Sequence, residues 1–298
     1  MSLLLGTAIT VILSGNIVRP VNALSTAMQR VANGDYDVKL ETKSNFEIIR
    51  RVYSDFNHMV DELNAVETLR NDFVSNVSHE FKTPLSSVEG YAMLLQDESL
   101  SAEARSEYTE RIVVSTRRLS TLVSNILMIT KIENQTMPFT LSSYRVDEQV
   151  RQSILLLENK WSEKNIGFEM DMDSIEFCAV EGLLGNVWSN LIDNAIKFSP
   201  EGEIIYISLK EKDDMLSFKI ANRGEPMSGE TLKRIFEKFY QGDTSHKREG
   251  NGLGLALVKK IVRVHGGSVS AVNTEDGLIE FTVNLPAKRS CERCCGSN

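Results

Sequence analysis

The sequence predicts a multidomain chain. An all-α helical hairpin, paired with a second copy into a dimeric four-helix bundle, precedes a separate α/β domain. Between Glu67 and Gln135 apolar residues recur at helical spacing in two long runs divided by a polar turn. Beyond Val146 the rhythm changes to short alternating strands interleaved with helices. A third observation extends the chain upstream: residues 3–18 are apolar and carry no charge.

A chain of 298 residues with 42% hydrophobic and 25% charged side chains has room for two domains with cores, and its composition is that of a globular protein. A net charge of −8 with no long basic run excludes a protein that holds nucleic acid by counterion release. Cys178 stands alone in the body of the chain while Cys291, Cys294 and Cys295 crowd the last residues, so no disulfide framework is expected. That tail, 288–298, reads as disordered and reduced. The alternative, a thiolate metal site, lacks a nearby fourth ligand.

The apolar run "LLLGTAITVILSGNIV" would make about 24 Å of helix at ~1.5 Å per residue, short of the ~20 residues a bilayer crossing needs. It reads as the end of a transmembrane helix (1–18) with Arg19 at the cytoplasmic face; the alternative is a buried core helix diluted by Gly6, Thr7 and Thr10. Next, Val21, Leu24, Met28 and Val31 predict a helix behind Pro20 that stops at Gly34. After an extended connector, Ile49, Val52, Phe56, Met59 and Val60 form a second stripe. A proline after a membrane helix, a Gly-Asp stop, Glu47 opening the second helix and Phe56-Asn57 within it together resemble the HAMP linker family (19–66).

The hairpin (67–135) carries Leu69, Phe73, Val77, Val88, Ala92 and Leu95 on its first helix, then Ile112, Val113, Leu119, Leu122, Ile126 and Ile129 on its second. One apolar stripe per helix has little to bury itself against within one chain, which is why a second copy is expected. The α/β domain (144–287) is expected to run as a helix over 146–163, strands over 166–171 and 176–180, and a helix over 182–197. Strands over 203–210 and 215–221, helices near 229–236 and 253–265, and two closing strands follow.

Within the first hairpin helix, "SHEFKTPL" (78–85) places Pro84 where the ladder wants an amide, and its ring clashes with the carbonyl of Glu80, at ~3 kcal/mol if uncompensated. The turn bearing His79 and Glu80 is therefore expected to loosen. Imidazole is nucleophilic when neutral, and an ordinary pKa near ~6.5 makes that form abundant at cytoplasmic pH. Glu80 could take the ring proton or stabilise the imidazolium, and Thr83, four residues on, shares the helical face and could hold a water. Alone, such a pair also fits a solvated helix face.

The α/β domain adds the missing context. "NLIDNAIKF" (190–198) puts Asn190, Asn194 and Lys197 on one edge of a helix; amide oxygens suit Mg²⁺ and the lysine can reach a phosphate. "ANRGEPM" (221–227) ends a strand with a glycine that lets backbone approach a ligand, and "GNGLGLAL" (250–257) opens a helix whose unpaired amides favour phosphate. Between them, "IFEKFYQGDTSHKRE" has the composition of a closing lid.

In order and spacing, "SHEFKTPL", "NLIDNAIKF", "NRGEPM", "IFEKFY" and "GNGLGLAL" resemble the H, N, G1, F and G2 boxes of sensor histidine kinases of bacterial two-component systems, over residues 67–287. The resemblance implies an α/β sandwich of Bergerat (GHKL) type. It implies His79 as phosphoacceptor, Glu80 as its acid/base partner, Thr83 as the residue that positions water in dephosphorylation, and Asn194 with Asn190 as Mg²⁺ ligands. By the same resemblance Lys197, Phe198, Asn222, Gly224, Met227, Gly250, Gly252, Leu253 and Gly254 contact ATP. Asn222 departs from the family's usual aspartate; its oxygen can still accept the adenine amino hydrogen bond, at a loss of ~1 kcal/mol.

The implied function is Mg·ATP-dependent autophosphorylation of His79, phosphotransfer to an aspartate of a response regulator receiver domain, and phosphatase activity toward that regulator. The implied setting is a homodimer at the cell membrane with its catalytic part cytoplasmic. Two rivals stay open: a phosphatase that uses ATP only to stabilise a conformation, and a non-catalytic dimeric adaptor.

Overall fold

Pro20 lies in the first turn of α1 (Arg19–Ala32), where a missing amide leaves nothing unpaired. The computed structural model describes residues 17–41, 46–134, 140–242 and 251–287. Residues 1–16 of the expected membrane helix, Gly250 and the tail 288–298 lie outside them. The chain divides into two units, Met1–His79 and Glu80–Asn298.

In the first unit α1 ends at Asn33 and Gly34, and the Gly34 amide donates to the Val31 carbonyl at 2.9 Å. Ala27, Val38, Phe56 and Val60 form a small core with Leu24, Val31, Tyr36 and Leu40 packed against it. The connector has no strand to pair with, and a side chain satisfies it: the Asn57 carboxamide accepts from the Leu40 amide and donates to the Leu40 carbonyl, both at 2.9 Å. The Tyr53 hydroxyl donates to the Pro20 carbonyl at 2.9 Å and ties the two helices. Of the expected stripes, Val21, Met28, Val52 and Met59 are exposed. The intrachain core takes only part of each face.

Helix α2 runs Glu47–Leu94 without interruption, so the second linker helix and the first hairpin helix are one element. Sequence periodicity treated them as two. Pro84 is buried inside the helix. Beside it the Ser87 hydroxyl donates to the Thr83 carbonyl at 3.2 Å, a local bond that competes with the ladder.

In the second unit, Ser101 caps α3 (Ala102–Glu133), its hydroxyl accepting from the Ala104 amide at 3.2 Å. Among the described residues α3 is the helix long and apolar enough to cross a membrane. Its Leu122, Ile129 and Ile132 are instead buried in a protein core. That core continues into the α/β part: β1 (Ser142–Arg145), α4 (Val146–Leu155), α5 (Glu158–Glu163), β2 (Gly167–Met172), β3 (Glu176–Ala179), α6 (Glu181–Phe198), β4 (Ile204–Lys212), β5 (Met215–Arg223), α7 (Gly229–Arg234), α8 (Gly254–Val264), β6 (Ser268–Asn273) and β7 (Leu278–Pro286). The expected helix over 146–163 is two helices, because Leu156 and Leu157 turn the chain between them.

Five strands form a sheet in the order β2-β4-β5-β7-β6, parallel only between β2 and β4; β1 and β3 make a separate antiparallel pair. Period-two burial sends Ile205, Ile207 and Leu209 of β4, Leu216, Phe218 and Ile220 of β5, and Ile279, Phe281, Val283 and Leu285 of β7 to one face. Helices α4, α6 and α8 contribute to the same core. In one register row Asn222 of β5 pairs with Ile279 of β7, which pairs with Asn273 of β6.

Cys178 is buried on β3 and is disulfide-bonded.

Asp147 anchors the entry to α4 and is fully buried. Its carboxylate accepts two bonds from Arg145 at 2.8 and 2.7 Å, one from Arg151 at 2.7 Å and the Ile175 amide at 3.2 Å. The Arg145 bonds hold its pKa well below the usual carboxylate range against the opposing effect of burial. Both guanidiniums are partly exposed and can fall back on water. Asp147→Ala should therefore cost about 1–3 kcal/mol in denaturant unfolding, mainly from the orphaned Ile175 amide. Because the folded pKa is depressed, the charge's contribution is present above the unfolded value near ~4 and is lost as pH falls below it. The variant's stability should depend less on pH in that acid range than the native chain's.

Candidate functional site

Helix α6 carries the polar edge read from sequence. Two asparagines are already tied to it: the Asn190 amide nitrogen donates to the Asn186 carbonyl at 2.7 Å, and the Asn186 amide nitrogen to the Gly182 carbonyl at 2.7 Å. With its nitrogen engaged, Asn190 turns its Oδ1 outward. It faces the glycine loop so closely that a Cβ on Gly254 would lie 2.5 Å from it. Two motifs far apart in sequence thus meet, and Gly254 is glycine because the asparagine occupies the space. Asn194, one turn on, is half-buried on the same edge.

At its far end α6 is capped by a lysine from the α5–β2 turn. The Lys164 ammonium donates to the carbonyls of Ile196, Lys197 and Ser199 at 3.0, 2.9 and 3.1 Å. A cation on three terminal carbonyls satisfies groups the helix cannot, and it sits favourably against the dipole. Lys197, expected at a phosphate, has its ammonium 4.6 Å from the centroid of the Phe198 ring, and Phe198 is partly exposed.

Strand β5 delivers Asn222 to this end of the sheet, buried at 2% exposure. Its Nδ2 donates to the Arg223 carbonyl at 3.0 Å, which leaves Oδ1 as the accepting group. Gly224 follows in a tight place: a Cβ there would meet Ile279 Cδ1 at 3.2 Å and the Phe198 carbonyl at 3.4 Å. Met227 is half-buried against the core.

The glycine loop is built on Asn251, whose Oδ1 accepts from the Leu253 amide at 3.2 Å. Gly252 has φ +63, and its carbonyl accepts from the Phe239 amide at 2.9 Å. Leu253, expected to help enclose a ligand, is fully buried and supports the loop from beneath. Among the described residues no side chain caps α8, whose first amides, like those of any helix, have no intrahelical acceptor. Gly250 lies outside the described residues.

His79 and Thr83 are exposed on α2. Glu80 pairs with Arg118 of α3, oxygen to nitrogen at 3.5 Å. Sequence reasoning passed over Arg118 because the hand of a helical hairpin decides which residues face across it. It also passed over Asn186, whose only signal was its place four residues before Asn190.

Family models match three stretches of the chain: the HAMP domain over residues 12–65, the His Kinase A (phospho-acceptor) domain over 69–135, and the histidine kinase-, DNA gyrase B- and HSP90-like ATPase over 179–289. Heme sensor protein HssS of Staphylococcus aureus strain JH9 is 33% identical over 271 residues, 91% of this chain and 58% of the relative. The HssS of strain Newman is 32% identical over the same shares. The chain thus spans 58% of the length of these curated relatives. Among solved structures, full-length ShkA in complex with AMPPNP is 28% identical with a TM-score of 0.56, covering 74% of this chain and 46% of that one. Histidine kinase AdeS of Acinetobacter baumannii, at 21% identity and TM-score 0.58 over 71% of this chain and 98% of that one, shares the fold. So does histidine kinase ThkA in complex with response regulator protein TrrA, at 23% and 0.60 over 76% and 64%.

Proposed function

We propose that the chain is a sensor histidine kinase, which moves the γ-phosphoryl group of ATP to His79 and from there to an aspartate of a response regulator. The observation that supports this best is the meeting of Asn190 Oδ1 with Gly254. It joins an edge of amide oxygens to the N-terminus of a helix, which suits a phosphate chain with a hard cation.

In the proposed step the neutral His79 imidazole attacks the γ-phosphorus; the N–P bond forms, the bond to the β-phosphate oxygen breaks, ADP leaves, and the ring proton passes to Glu80. Arg118 holds that carboxylate in place through the 3.5 Å ion pair. Positioning and charge neutralisation carry such a transfer. Asn194 and Asn190 would hold Mg²⁺, which would neutralise phosphate charge. The Asn222 Oδ1 would accept from the adenine amino group, with Gly224 and Met227 beside the ring. Lys197 would leave its stacking on Phe198 to meet phosphate, and Gly252 and Gly254 would let the loop close on it.

We assign residues 19–66 to the linker, 67–135 to dimerisation and phosphotransfer, and 144–287 to ATP binding. Exposed Leu69, Val74, Leu85, Val113, Val123 and Leu127 on the hairpin support a second copy as the bundle's other half. The linker match supports a membrane-anchored protein with its catalytic part in the cytoplasm. Thr83, exposed four residues beyond His79, suits a water-positioning role in dephosphorylating the regulator.

Incubating the chain with γ-labelled ATP and Mg²⁺ tests the proposal. Covalent label that is lost in acid and kept in alkali is the expected result, since the N–P bond of phosphohistidine is acid-labile. A chain that binds ATP yet takes no label under any condition would point to the adaptor reading.

A further inference from the structure

The loop between β5 and α7, residues 224–228, is held at three points. Gly224 lies against Ile279. Ser228 caps α7 by accepting from the Thr231 amide at 3.1 Å. Between these, Asn273 grips Met227 as a second strand would: the Met227 amide donates to Asn273 Oδ1 at 3.1 Å, and Asn273 Nδ2 donates to the Met227 carbonyl at 2.7 Å. Asn273 can do this because of the sheet register. It ends β6 in the same row as Ile279 and Asn222, so its side chain stands on the face that Asn222 and Ile279 share.

We infer that Asn273 is a positioning residue for the nucleotide, acting through the Met227 backbone. The inference deepens the proposed function and rests on it. The loop connects Asn222, whose Oδ1 is left to accept, with Met227, whose side chain packs against the core. One carboxamide satisfies both main-chain groups of a residue that has no ladder partner, and so fixes the wall of the pocket before a ligand arrives. Preorganisation of this kind raises affinity by removing an ordering cost from binding. Asn273 itself is exposed. Its removal leaves the two Met227 groups to water and costs the fold little, while the loop regains its freedom.

The test is equilibrium titration with a fluorescent ATP analogue in Mg²⁺, beside autophosphorylation kinetics and thermal unfolding without nucleotide. For Asn273→Ala, dissociation constant and KM for ATP should rise about three- to tenfold, with kcat at saturating ATP within about twofold. The unliganded melting temperature should move by no more than about 2 °C. Asn273→Asp keeps the acceptor and loses the donor, so it should fall between. Unchanged affinity in the alanine variant overturns the inference, as does a drop of several degrees in melting with kcat falling in step, which marks a merely structural residue. Native-like binding by the aspartate variant overturns the two-point clamp. Failure of the native chain to bind the analogue strikes the proposed function first and is read before any variant.

Discussion

His79→Gln should take up no label from γ-labelled ATP, a loss of more than about a thousandfold, while it binds a fluorescent ATP analogue as tightly as the native chain. The two halves of this result have separate causes. Glutamine is neutral and of similar reach, but its amide nitrogen has no lone pair available for attack on phosphorus, so a covalent intermediate cannot form. It is also a good helix former, and position 79 is exposed on α2, so neither propensity nor packing is disturbed. The groups proposed to hold the nucleotide stand on α6, β5 and the glycine loop, positioned by the bonds of Asn190 to the Asn186 carbonyl, Asn222 to the Arg223 carbonyl and the Leu253 amide to Asn251. Filter-bound label and binding isotherms measured on the same preparation separate the two. Residual acid-labile label in the variant would move the phosphoacceptor to another histidine, and His58 and His265 are the first to check. His265 is the poorer candidate: its Nε2 accepts from the Val180 amide at 3.3 Å and its Nδ1 faces the Ile261 carbonyl at 2.9 Å, so both ring nitrogens are occupied.

Which parts of this site the sequence announced follows from the range of the physics involved. The edge of Asn190, Asn194 and Lys197 was legible because helical spacing is local and fixes which side chains share a face. The alternation of β4, β5 and β7 was legible for the same reason, at period two. Arg118 opposite Glu80 and Asn273 against Met227 were not, since each depends on how two elements distant in sequence are set together. The register that carries Asn273 to the loop needs two strand pairings at once. Four-residue β1 offers too few residues for a period to appear. The single helix Glu47–Leu94 was divided on the page because its apolar stripe changes partner along its length, from the linker core at Phe56 and Val60 to the hairpin face beyond. Leu253 stays ambiguous for a simpler reason: a leucine between two glycines reads equally well as a pocket wall or as an anchor, and the fold buries it fully.

Gly252→Ala should abolish tight nucleotide binding and lower the melting temperature, whereas Gly254→Ala should spare the fold and weaken binding only. At Gly252 a Cβ would lie 2.6 and 2.7 Å from the carbonyl carbon and Cα of Phe239 and 2.9 Å from the Tyr240 carbonyl oxygen. These are backbone atoms, and the segment they belong to is already constrained. Phe239 has φ 63, a conformation that bulky residues rarely take, and its amide is bonded to the Gly252 carbonyl. Gly252 itself has φ +63, so alanine adds left-handed strain to the clash. The loop must therefore separate from the 239–240 segment, breaking the bond that joins them. Strain and clash of about 3 kcal/mol correspond to on the order of a hundredfold in affinity at 1.4 kcal/mol per tenfold. At Gly254 the obstruction is instead the end of a side chain, Asn190 Oδ1 at 2.5 Å. A rotation of that amide relieves it at the expense of the bond to the Asn186 carbonyl, so the unliganded melting temperature should stay close to native while the Mg²⁺ dependence of binding weakens. Equal melting losses in the two variants would mean that Asn190 is as fixed as the backbone, and the amide edge would then be scaffold alone.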